Sequence, residues 1–100
     1  MSVFVSVEDG EGETLEPVFE VTDIVRKFHS PKTDACLTYI DDTEDAFFNQ
    51  KQIPILLKEL TELAATDLKG PEREELERIA AVCSRAMGKR RVYVKFYGEE

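Results

Sequence analysis

Between Ile53 and Ala64 the apolar residues Ile53, Leu56, Leu57, Leu60, Leu63 and Ala64 recur at i, i+3, i+4, i+7, i+10 and i+11. That spacing lays one apolar stripe along a helix. A second stripe follows at once: Leu76, Ile79, Ala80, Cys83 and Met87. Two amphipathic helices in succession must both bury a face, and the rest of the chain has to supply what they cover. Pro54 is tolerable only in the first turn of its helix, where its missing N–H is not needed. The helix therefore begins no earlier than about Asn49, which suits a cap. Pro71 starts the second helix, and Glu72, Glu74 and Glu75 favour its positive end. Glu74 and Arg78 stand i, i+4 in the favourable order. Gly88 suits the stop, with Lys89, Arg90 and Arg91 beside the negative end.

The flanking segments read as strands. Val3, Val5 and Val7 alternate with Ser2, Phe4 and Ser6, and Val92, Val94 and Phe96 alternate with Tyr93, Lys95 and Tyr97. Period two with β-branched residues predicts strands over 2–7 and 91–97. Residues 35–40 (ACLTYI) are expected to form a further strand, with Phe47 and Phe48 closing a short hairpin onto it across the polar turn 41–45. Glu8–Glu13 (EDGEGE) is a turn or loose loop. Residues 14–21 are open between strand and loop, and Pro17 restricts a strand there to an edge. Thr22 or Asp23 is placed to cap a short helix over Ile24–His29, ended by Ser30-Pro31. The expected architecture is one α+β domain over residues 1–100. It consists of a small, mostly antiparallel sheet with the two consecutive amphipathic helices packed on one face, and its last strand beside residues 2–7.

Length and composition fit this reading. One hundred residues with 42% hydrophobic and 34% charged content can bury a core without staples. Cys36, in the strand-like run, and Cys83, on the second stripe, are expected to be reduced core thiols. No basic start followed by an apolar segment marks a signal peptide, and no apolar run approaches the ~20 residues of a membrane span, so the expected compartment is cytoplasmic. The net charge of −8 argues against nucleic acid and anionic membranes as partners. The charge is lopsided: residues 1–50 hold twelve acids and three bases, a net of −9, and residues 51–100 hold nine acids and ten bases, a net of +1. Such asymmetry hints at an interaction surface.

The acidic turn Asp41, Asp42, Glu44, Asp45 is the sharpest local feature. A calcium loop counted from Asp41 would need glycine at its sixth position and glutamate at its twelfth, where Ala46 and Gln52 stand; counted from Asp9, the sixth is Thr14. Its readings are a solvated turn, or a surface that docks on a basic protein together with Glu11 and Glu13. Tyr39 and Tyr93 are then candidate anchors, since tyrosine is enriched at binding hot spots. The single histidine, His29, has no nucleophile or second ligand at catalytic spacing. EDGEGE sets acids where an anion would sit. The aromatics Tyr39, Phe47, Phe48, Tyr93, Phe96 and Tyr97 lack the interleaved basic residues of a base-stacking platform, so packing in and around the core accounts for them better. No catalytic, cofactor or metal site is expected.

The segment CLTYIDDTEDAFFNQKQIPILLKELTEL, together with the final VYVKFYGEE, resembles a group of short acidic bacterial proteins, some of the immunity type that neutralises polymorphic toxins. The resemblance covers residues 35–65 and 92–98. It implies a non-enzymatic protein that binds and neutralises a basic partner such as a bacterial toxin. The alternative is a regulatory or structural interaction module, with a homodimer through an exposed sheet edge as one form.

Overall fold

The computed structural model describes residues 2–28, 36–41 and 44–98. Four strands, β1 (Val3–Asp9), β2 (Phe19–Val21), β3 (Ala46–Phe48) and β4 (Val92–Gly98), form one antiparallel sheet in the order β2-β1-β4-β3. Two helices, α1 (Ile53–Ala64) and α2 (Gly70–Ala86), lie together on one face. The chain is thus the α+β arrangement its patterning predicts, with the last strand directly beside the first along Val3↔Gly98 to Asp9↔Val92.

Alternation fixes which side of each strand is buried. Val3, Val5 and Val7, Val92, Val94 and Phe96, and Ala46 and Phe48 enter the core beneath the helices, where they meet Ile53, Leu56 and Leu60 of α1 and Leu76, Ile79 and Cys83 of α2. Phe48 and Phe96 meet edge to face at 5.7 Å, a favoured aromatic geometry. Pro54 sits in the first turn of α1. The cap position falls on Gln52, and Asn49 acts three residues ahead of it: its Oδ1 accepts the N–H groups of Lys51 and Gln52, closing the turn that leads in. The second stripe ends earlier than its periodicity suggests. Met87 lies outside α2 and is exposed, whereas Val82 and Ala86 are buried. Gly88 follows with φ +81°, the left-handed conformation that stops helices and that glycine adopts without strain. Arg78 departs from the expected pairing with Glu74 and covers the Phe19 ring at 4.4 Å.

Two expectations are corrected. Residues 36–40 are not a strand; Leu37–Tyr39 form a 3₁₀ turn. The physical reason is visible in the burial, because Cys36, Leu37 and Ile40 are inside and Thr38 and Tyr39 outside. That is the spacing of a helical turn and not of an alternating strand. Phe47 and Phe48 consequently do not form a hairpin with 35–40 but pair with β4, in the register Phe47↔Lys95 and Phe48↔Val94. Over 24–29 the structure has a 3₁₀ turn at Val25–Lys27, with no side-chain cap from its own residues. His29, Ala35 and the Ser30-Pro31 step lie outside the described residues. Of the open segment 14–21, residues 19–21 form an edge strand beyond Pro17, and Thr14 makes only an isolated bridge to Glu8.

Both 3₁₀ turns are held by glutamates from the helices. Glu75 of α2 accepts the N–H groups of Thr22 and Ile24. Glu59 of α1, itself buried, accepts those of Cys36 and Leu37. A short helical turn begins with unsatisfied N–H groups, and here a carboxylate from a distant part of the chain satisfies them. Glu72 closes the start of α2 by accepting the Lys69 N–H at 2.8 Å.

Candidate functional site

Side chains that alternate away from the helices form the open face of the sheet: Phe4, Ser6 and Glu8 from β1, Tyr93, Lys95 and Tyr97 from β4, and Phe47 from β3. Antiparallel sheets commonly present polar residues on such a face. This one is largely aromatic. Phe4 and Tyr97, directly opposed, stack at 5.5 Å. Lys95 stands at the middle, its Nζ 3.8 Å from Glu8 Oε2 and 3.8 Å from Asp45 Oδ2. It also lies 5.1 Å from the Phe47 ring and 5.0 Å from the Tyr97 ring. Ser6 Oγ donates to Glu8 Oε2 at 3.1 Å. One lysine therefore serves two carboxylates and two rings, and the cluster retains an excess negative charge.

Phe47 is 52% exposed and joins two depressions. In one, of about 220 Å³, it meets Tyr39, Glu44, Asp45 and Gln52. In the other, of about 310 Å³, it meets Tyr93, Glu8 and Asp9. The expected anchors Tyr39, which is 67% exposed, and Tyr93 thus flank a third aromatic that packing alone was expected to explain. Its signal was present in the sequence: the alternation of VYVKFYG requires a partner face, and only one of two adjacent phenylalanines in a strand can point inward.

The acids divide. Glu44 and Asp45 line one of the Phe47 depressions, and Glu8 and Asp9 the other. Asp41 is half-buried and its Oδ1 accepts the Glu44 N–H, so it shapes the turn. Asp42 lies outside the described residues. Glu11 shares a separate concavity with Tyr93, Arg90 and Arg91. Glu13 is exposed at the β1–β2 turn, a tight turn in which Asp9 Oδ1 accepts the N–H groups of Glu11 and Glu13. Glu16 pairs with Arg85 of α2 at 2.7 Å; the Arg85 hydrogen bond holds its carboxyl below the usual glutamate range. The acidic surplus of the first half is thus shared among several places, and the part beside the exposed aromatics is Glu8, Asp9, Glu44 and Asp45.

Both cysteines are buried and neither is in a disulfide. Burial, with a smaller contribution from Cys36, pushes the Cys83 thiol up to about 12, which suppresses its thiolate. Among the described residues no group of three or more His, Cys, Asp or Glu side chains is arranged to hold a metal ion, and no helix is long and apolar enough to cross a membrane. Comparison with protein-family models, curated proteins and solved structures finds no match to this chain.

Proposed function

We propose that this domain is a non-enzymatic protein-binding module that receives a basic protein on its open sheet face, and that the partner is a toxin it neutralises, as the immunity-type resemblance implies. The observation that carries the reading is Phe47, an exposed phenylalanine between Tyr39 and Tyr93, rimmed by Glu8, Glu44 and Asp45. An aromatic patch on an otherwise polar surface marks a contact site. Carboxylates around its edge steer a cationic partner and raise the association rate.

The test is binding of a purified basic partner, identified by capture at low salt, to wild type and to Phe47→Ala and Tyr39→Ala variants. Both variants should weaken binding by about tenfold or more, the loss typical of a hot-spot aromatic. Association should slow as salt rises. Equal affinity for the Phe47 variant, or indifference to salt, would overturn the reading. Protection of cells expressing that partner separates neutralisation from simple binding.

One observation favours a second reading. β3 ends the sheet, and an end strand can pair with that of another copy. A net charge of −8 on each chain opposes self-association. Sedimentation of the isolated protein decides: a stable dimer supports pairing through β3, and a monomer supports the basic-partner reading.

A further inference from the structure

A depression of about 330 Å³ at the end of β4 is lined by Asn49, Gln50, Lys51, Arg91, Val92 and Tyr93. On a strongly acidic chain its lining contains no carboxylate. Its polar side chains offer donors. Lys51 and Arg91 carry full positive charges, and neither forms an ion pair among the described residues. Asn49 Oδ1 is already occupied by the N–H groups of Lys51 and Gln52, which leaves its amide nitrogen, a donor. Gln50 Nε2 is shielded from solvent and has no acceptor among the described residues. A buried donor without an acceptor is costly; because this nitrogen is closed to solvent, an oxygen in the depression reaches it only when the Gln50 side chain turns outward. These residues form the turn that enters α1, whose positive end adds to the same field.

Arg91 supplies an independent observation. It has φ 56°, a left-handed conformation that non-glycine residues adopt at a cost. Its stem packs over Gly10, where an added Cβ would meet the Arg91 Cβ at 3.5 Å. A glycine would fit the backbone at 91 better, yet the position holds an arginine that borders both this depression and the concavity containing Asp9 and Glu11.

We propose that this depression binds a phosphoryl group, the dianion of a phosphomonoester or of free phosphate. Two cations match a charge near −2, and the mixed set of guanidinium, ammonium and amide donors serves three oxygens better than the two of a carboxylate. Tyr93, in the same lining, is the aromatic residue available to an ester's organic part. The proposal does not rest on the partner-binding reading, although Tyr93 borders both surfaces.

Amide chemical shifts of Gln50, Lys51, Arg91 and Tyr93 should move saturably on titration with inorganic phosphate or phenyl phosphate at constant ionic strength. Tighter binding of phenyl phosphate assigns the site to an organic phosphate, and equal binding assigns it to free phosphate. Acetate should bind at least about tenfold more weakly, as expected when charge-assisted hydrogen bonds are lost. Arg91→Gly and Lys51→Met should each weaken phosphate by about tenfold or more, with Arg91→Gly melting no lower than wild type. Absence of saturation, acetate binding as well as phosphate, or unchanged affinity in both variants would overturn the proposal.

Discussion

The Glu75 carboxylate on α2 accepts the backbone N–H of Ile24 at 2.9 Å, a bond between residues 51 apart in sequence. Through it the helix caps a turn that has no cap of its own. Glu75→Ala should strand the Thr22 and Ile24 N–H groups and destabilise the domain by about 1–2 kcal/mol, the usual value of a helix cap. Urea unfolding reads the loss, and hydrogen exchange at Ile24 should accelerate more than at the β1–β4 pairs.

Glu59 does the same for Cys36 and Leu37 from a buried position. Removing an acceptor there leaves its donors away from water, so Glu59→Ala should cost more, about 2–4 kcal/mol. Glu59→Gln keeps an acceptor oxygen and should recover part of the loss in the same unfolding experiment.

The Cys83 thiol has a native pKa pushed up to about 12, against about 8.5 for a free cysteine. Stability from keeping it protonated is complete below about pH 8.5 and declines as pH rises towards the native value, by at most about 1.4 kcal/mol per pH unit. Urea midpoints between pH 8 and 10 should fall more steeply for wild type than for Cys83→Ala. Native Cys83 should also resist thiol reagents at pH 8 until the protein unfolds.

Glu16 has the opposite sign. Arg85 lowers its carboxyl pKa, so its contribution is present above the ordinary value near 4.3 and is lost as pH falls through the native value. The pair is largely solvated, which makes the effect small and salt-sensitive. Comparing wild type with Glu16→Gln at pH 7 and pH 3 should show a smaller difference at the lower pH.

Phe47→Ala removes a half-exposed ring and should change stability by less than about 1 kcal/mol, mainly through lost contact with Lys95. Thermal melting checks this, and it qualifies the variant as a clean probe of binding.

Sequence made the helices and the β1–β4 pair legible because each follows one period over many residues. It was weakest where a segment is too short to show a period. In CLTYI the apolar positions also satisfy a helical turn, and the deciding contact comes from Glu59, 22 residues from Leu37. The carboxylates posed a different difficulty. Local spacing does not tell whether an acid faces a partner, an arginine such as Arg85 or a backbone N–H. Tyr39 and Tyr93 were identifiable as candidate anchors, and of the two Tyr39 is exposed and Tyr93 partly buried; Phe47 emerges between them only once β3 is set against β4.

β4 lies between β1 and β3 although it is the last of the strands in sequence. During synthesis β1 emerges early and must wait for residues 92–98 before its long partner exists, with both helices made in the meantime. Distant pairing of this kind slows folding and leaves the valines of β1 without their cover. A chain halted before Val92 would retain its helices' sequence but have no centre for its sheet, and should be cleared by proteases rather than accumulate as a smaller folded domain.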